Sequence, residues 1–311
     1  MTPDILFLAG PTASGKTALS LHAARALNGE IVNADSMQVY AGLDIIAAQP
    51  GPEEKAAAPH HLFAQIDPGE RCSVGRWARL ALERIGDITA RGRTAILVGG
   101  TGLYFKALTD GLAPAPAVPD EINDAVQALY ERGGLEALRK EAETADPAGA
   151  ARIKAGDRQR LMRIVAVKRA SGAALSDLQA QTTPLVDRER WRGVVIRPPR
   201  DTLYARIEAR FDQMLAAGAL DEARLLAERR LDPALPAMKA VGVPPLLDHL
   251  AGHIELETAI ELAKRDSRRF AKRQFTWFSN QHAGWARIES LDPKNQREEL
   301  ALLLKSEFGA G

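Results

Sequence analysis

Gly10-Pro11-Thr12-Ala13-Ser14-Gly15-Lys16-Thr17 fits the pattern G-x-x-x-x-G-K-[ST]. In that pattern glycines let successive backbone N–H groups turn inward as an anion nest, and the helix that follows adds the positive end of its dipole. Lys16 would reach terminal phosphate oxygens as a point charge, and the Thr17 hydroxyl would ligate Mg²⁺. Taken alone, the loop announces a phosphorylated ligand, most often a nucleoside triphosphate such as ATP. An NTPase usually ends a later apolar strand with an aspartate that helps to hold Mg²⁺. Here the corresponding run, Thr94 to Val98, ends in Gly99-Gly100-Thr101-Gly102. The nearest carboxylate is Asp35, just past the second expected strand, where the carboxyl ends of parallel strands face the ligand crevice. From position alone Asp35 is open to three readings: metal ligand, general base or turn-former.

Other chemistry-bearing residues say less. His60 and His61 are adjacent and cannot converge on one ion from one face, and no second His or Cys cluster follows, so no zinc site is expected. Cys72 is the only cysteine and cannot form an internal disulfide; a lone thiol suits a reducing cytosol. Trp277 and Phe278 could stack on bases, but their helical setting favours a place in the core.

These side chains need elements to hold them. Ile5 to Ala9 is an apolar run stopped by Gly10-Pro11 and reads as a buried strand; Thr17 to Leu27 reads as a helix, and Glu30 to Asn33 as a second strand. That is a βαβ unit, which implies a parallel sheet. Trp77 to Thr89 reads as a helix, and the α/β pattern holds to about residue 112. The proline-rich stretch from Ala113 to Pro119 reads as a stiff hinge. Residues 120 to about 182 carry helical patterns and no convincing strand. Val194 to Ile196 reads as a returning strand; if it rejoins the first sheet, the helical unit is an insertion. Leu203, Ile207, Phe211, Met214 and Leu215 recur at helical spacing, with Arg206 and Arg210 on another stripe, and Leu256 to Phe278 is a further helix. The expected division is a first part of the α/β core at 1–115, a helical insertion at 116–192, and core completion with C-terminal helices at 193–311.

With 311 residues, 46% hydrophobic and 26% charged, the chain falls outside the disordered and fibrous classes. Asp4 precedes only a short apolar run, unlike a signal peptide, and no stretch reaches the ~18 apolar residues that span a bilayer. A cytoplasmic location with no membrane partner is the expectation. The net charge of +1 argues, as a sum, against a polyanion partner, yet it is an average. Seven cations face only Asp157 between 152 and 169, a balance of +6, and six face only Asp266 between 264 and 273, a balance of +5. Both are candidate phosphate footprints.

Six pieces in order resemble one family, the tRNA dimethylallyltransferases. They are the phosphate loop, Asn33-Ala34-Asp35-Ser36-Met37-Gln38-Val39-Tyr40, Pro59-His60-His61-Leu62, Gly99-Gly100-Thr101-Gly102-Leu103-Tyr104, Asp157-Arg158-Gln159-Arg160-Leu161-Met162-Arg163, and Lys272-Arg273-Gln274-Phe275-Thr276-Trp277-Phe278. The resemblance implies a P-loop NTPase-like parallel α/β core with a small all-helical insertion domain. It implies transfer of a dimethylallyl group from dimethylallyl diphosphate to N6 of the adenosine adjacent to the anticodon, with Mg²⁺ as cofactor and a tRNA anticodon stem-loop as partner, by a monomeric enzyme. By the same resemblance the loop from Gly10 to Thr17 cradles the diphosphate, and Asp35 accepts a hydrogen bond or proton from the amine. Thr101 helps to position the adenosine, and Arg210 contacts the diphosphate from the far side. Contacts to tRNA are carried over to Asp35, Ser36, Met37, Gln38, Thr101, Asn123, Gln159, Arg160, Leu161, Met162 and Arg163. An adenylate prenyltransferase, a small-molecule P-loop kinase and an RNA-binding protein with a structural phosphate loop are the competing readings.

Overall fold

The computed structural model describes residues 2–309. Six strands form one all-parallel sheet: β1 (Ile5–Ala9), β2 (Gly29–Asn33), β3 (His60–His61), β4 (Thr94–Gly99), β5 (Trp191–Ile196) and β6 (Ala286–Ile288), in the order β3-β2-β4-β1-β5-β6. The expected P-loop-like α/β core is therefore present, and the returning strand lies directly beside β1 in the pairing Leu8↔Val194. The two outermost strands, β3 and β6, are additions to the sequence reading.

Every residue of β1 and β2 is buried, as a parallel sheet covered on both faces requires. The period-2 alternation of a strand sends Leu6 and Leu8 to one side, where they pack with Leu19 and Ala23 of the helix Lys16–Ala26 and with Leu300 and Leu304 of the helix Pro293–Phe308. Phe7 points the other way into a ring cluster, 5.8 Å from Phe105 and 5.7 Å from Trp285. Phe278 belongs to the same cluster, 3% exposed, so it packs in the core.

Residues 2–109 with 186–309 make one compact unit and residues 110–185 a second. These edges fall a few residues earlier than the proline-rich hinge suggests, because Val186 already donates its N–H to the Leu108 carbonyl at 3.1 Å and so belongs with the sheet. Residues 110–185 contain helices only: Asp120–Ala145, Pro147–Ala151, Arg158–Ser171 and Leu175–Ala180. Their core is Val126, Leu138, Ala142, Leu161, Ile164 and Val165. No helix among the described residues is long and apolar enough to cross a membrane.

Candidate active site

At the carboxyl end of β1 the chain turns through the phosphate loop. Ala13 and Gly15 take positive φ, and Gly15 caps the helix Lys16–Ala26 with no side-chain hydrogen bond. The first-turn N–H groups of that helix are therefore left for an anion. The Ser14 hydroxyl is buried without a partner. The loop opens on a cavity of about 730 Å³ whose walls include Lys16, Thr17, Asp35, Ser36, Arg206 and Arg210.

Charge in this cavity is arranged in two groups. Lys16 reaches back to the Pro11 carbonyl at 2.6 Å. Burial pushes its ammonium down to about 8, while Asp35 pulls it up and Arg210 pushes it further down. Burial, with Arg206 adding to it, also holds the Arg210 guanidinium below its usual value. Two cations kept partly dry beside a glycine loop form a strong anion site, since each Coulomb attraction grows as the local dielectric falls.

Asp35 stands just beyond β2. Its N–H donates to Asn33 Oδ1 at 2.8 Å, and its Oδ1 accepts the Met37 N–H at 2.9 Å, which fixes the carboxyl in an Asx-type turn. Thr101 supports the turn from β4: its Oγ1 accepts the Ser36 N–H at 2.9 Å and donates to Ser36 Oγ at 3.1 Å. The glycines around Thr101 are steric requirements, since a Cβ on Gly99 would lie 2.0 Å from the Ala34 carbonyl oxygen and one on Gly102 would lie 2.0 Å from the Trp277 ring.

Against this geometry stand the relatives. A family model described as IPP transferase matches residues 38–281. The chain belongs to the IPP transferase family. It is 56% identical over 304 residues to the tRNA dimethylallyltransferase of Maricaulis maris, covering 98% of each chain, and 54% identical over 296 residues to that of Phenylobacterium zucineum, covering 95% and 96%. Among solved structures it resembles the full-length tRNA isopentenylpyrophosphate transferase of Bacillus halodurans, with TM-score 0.68 at 34% identity, covering 97% and 96% of the two chains. A eukaryotic dimethylallyltransferase described as acting on tRNA shares the fold, with TM-score 0.84 at 24% identity, over 98% of this chain and 78% of that one.

In this member of the IPP transferase family the loop residues, Asp35, Ser36, Met37, Gln38 and Arg210 come together in a single unit. Several residues have duties that the sequence did not reveal. Thr12 spends its N–H on Gln274 Oε1 at 2.9 Å, so that amide does not face the cavity. Gln38 donates Nε2 to the carbonyls of Ala47 and Ala48 at 3.0 and 2.7 Å, holding a wall of the cavity. Thr101 lies behind Ser36, outside the cavity lining. Two buried glutamines hold the loop without any role assigned from sequence. Gln274 lies inside the sixth family motif, and Gln296, which no motif includes, donates its Nε2 to the Ser14 carbonyl at 2.8 Å and braces the loop from the helix Pro293–Phe308.

The second unit carries Asn123, Gln159, Arg160 and Arg163, all exposed, and Met162, half-buried. Leu161 is a correction: its side chain is fully buried in the core of that unit, one turn from Ile164 and Val165, and presents nothing to an RNA. The second basic segment also needs revision. Lys264 pairs with Asp212 at 2.6 Å, Arg268 with Glu208, and Arg265 and Arg269 with Asp266, so acidic residues from the helix Arg200–Ala216 offset part of its +5. His61 is bound to Glu30 at 2.7 Å, and His60 Nδ1 to the Ala58 carbonyl at 2.8 Å. Among the described residues no three His, Cys, Asp or Glu side chains gather into a metal site. Hard oxygen donors at the cavity, among them the Thr17 hydroxyl and the Asp35 and Glu54 carboxylates, fit Mg²⁺, which keeps much of its water and takes phosphate oxygens as further ligands.

Proposed function

We propose that the protein transfers the dimethylallyl group of dimethylallyl diphosphate to N6 of the adenosine adjacent to the anticodon of tRNA, releasing diphosphate. One observation carries this reading: a phosphate loop with two desolvated cations shares a cavity with a fixed carboxylate at the end of β2, one strand removed from β1 in the sheet. The loop amides, Lys16 and Arg210 hold the diphosphate and stabilise the charge that grows on it as the C1–O bond breaks. The amine nitrogen forms its bond to C1 as the C1–O electron pair leaves with the diphosphate. An adenine amine is a weak nucleophile, and Asp35 accepts its proton as positive charge develops, an interaction that is strongest in the transition state. The Thr17 hydroxyl would hold Mg²⁺, whose charge would further neutralise the leaving group.

The acceptor base leaves its stack to enter the cavity at a cost of a few kcal/mol, which a single-stranded anticodon loop keeps low. The exposed cations from Arg158 to Arg163 are offered to the anticodon stem-loop backbone. The site of action follows the substrate, cytoplasmic tRNA. To test the reading, the protein is incubated with radiolabelled dimethylallyl diphosphate and tRNA, AMP or ATP in separate reactions. Label is expected on tRNA; label only on AMP, or γ-phosphate transfer without prenylation, would overturn the assignment.

A further inference from the structure

We propose that Gln274 is a positioning residue that fixes the phosphate loop against the strand-end loop carrying Thr101, and so sets the alignment between leaving group and nucleophile. This rests on the reaction proposed above. β1 and β4 are neighbouring parallel strands whose last paired residues are Ala9 and Gly99. Past that rung the two chains diverge, one into the phosphate loop and the other into Gly100-Thr101, and backbone pairing between them stops.

The Gln274 carboxamide bridges the gap. It is 5% exposed, its Oε1 accepts the Thr12 N–H at 2.9 Å, and its Nε2 donates to the Gly100 carbonyl at 3.0 Å. One primary amide thus does for two diverging loops what a ladder peptide does within the sheet. A Cβ on Gly100 would stand 2.1 Å from Gln274 Nε2, so any larger residue there would displace the carboxamide from this bridge. From Gly100 the connection runs through Thr101 to Ser36, beside Asp35. A continuous bonded path therefore links the diphosphate cradle to the carboxylate that receives the amine proton. Displacement at carbon depends steeply on relative placement, and a shift on the order of 1 Å can cost about 10²-fold in rate. Gln274 touches neither reacting group, so its loss should disturb alignment while leaving each substrate's own contacts in place.

The test compares the full chain with Gln274→Met, which keeps length and burial but removes both hydrogen bonds, and Gln274→Glu, which keeps the acceptor for Thr12 and loses the donor to Gly100. Three kinds of measurement are made: steady-state kcat and KM for tRNA and dimethylallyl diphosphate, Kd for inorganic diphosphate, and amide hydrogen exchange in the segments 10–17 and 99–104. Gln274→Met is expected to lower kcat at least tenfold while both KM values and the diphosphate Kd stay within about threefold. Exchange should quicken in both segments together. Gln274→Glu should quicken exchange mainly in 99–104, which keeps the test decisive if the methionine variant folds poorly. Unchanged exchange in either segment of Gln274→Met, or a loss carried entirely by KM, would overturn the proposal. A wild-type protein that fails to prenylate tRNA would instead sink the reaction reading, and the exchange data would still decide whether the amide joins the loops.

Discussion

The proposed reaction gives Asp35 and Lys16 distinct duties, and single substitutions separate them. In the proposed reaction, replacing Asp35 with Ala removes the proton acceptor, while Lys16, Arg210 and the loop remain in the cavity wall. Diphosphate affinity should stay near the wild-type value while turnover falls roughly 10²- to 10⁴-fold, the usual range for a lost general base; titration calorimetry and single-turnover labelling separate the two. Lys16 makes a pH prediction. Its ammonium is pushed down to about 8 by burial, so it is largely charged at pH 7 and loses that charge as pH rises through 8. Diphosphate should bind more weakly at pH 9 than the fall-off of a Lys16→Met variant accounts for, and equal pH profiles for the two proteins would show that Lys16 is not the titrating cation. Both residues are legible in the sequence because their signals are local: a loop motif, and a carboxylate placed two residues past a strand. The duties of Gln274 and Gln296 are not, although a family motif contains Gln274, because each meets the loop across more than 260 positions of chain, Gln274 at Thr12 and Gln296 at Ser14.

Among the elements, the edge of the sheet is held by charge. Glu30 at the start of β2 is almost fully buried and takes hydrogen bonds from His61 of β3 and from Arg91 and Arg93, which precede β4. Burial works against its ionisation, but the hydrogen bonds from Arg91 and His61 and the Arg91 charge outweigh it and leave the carboxyl below its usual value. A carboxyl lowered in the folded state contributes stability above its unfolded pKa of about 4.3, and that contribution disappears as pH falls through the folded value. Thermal melting of wild type and Glu30→Gln should therefore differ at pH 7 and converge towards pH 3; a constant gap would place the stabilisation elsewhere. The central strands announce themselves as apolar runs of five or six residues. β3 and β6 have only two and three residues, too few to establish a period, so their pairing is decided by the neighbouring strand and by contacts such as Glu30 with His61. In the helix Arg158–Ser171 the family motif places Leu161 on an RNA surface, although Leu161, Ile164 and Val165 already mark a buried stripe at i, i+3 and i+4.

For the whole molecule, a near-neutral chain of net charge +1 must attract a polyanion through where its charge sits. The two basic segments, alike in sequence, differ in the fold. In the first, Arg160 pairs with its own cap residue Asp157 at 3.2 Å and Arg169 with Glu141 at 2.8 Å. In the second, four of six cations have carboxylate partners, two of them supplied by another helix. Arg160→Ala with Arg163→Ala should weaken tRNA binding and flatten its log–log salt slope by about 1.5, because each phosphate left without its arginine takes ~0.7–0.9 from that slope. The same measurement on Arg265→Ala with Arg269→Ala should show a smaller change, and the reverse order would move the RNA surface to the helix Leu256–Gln281. The central claim, that this cavity joins a dimethylallyl group to tRNA, is tested most directly by mass spectrometry of tRNA nucleosides from cells lacking the protein. Prenylated adenosine is expected to disappear and to return with the wild-type chain but not with Asp35→Ala; an unchanged nucleoside profile in the deleted cells would contradict the claim.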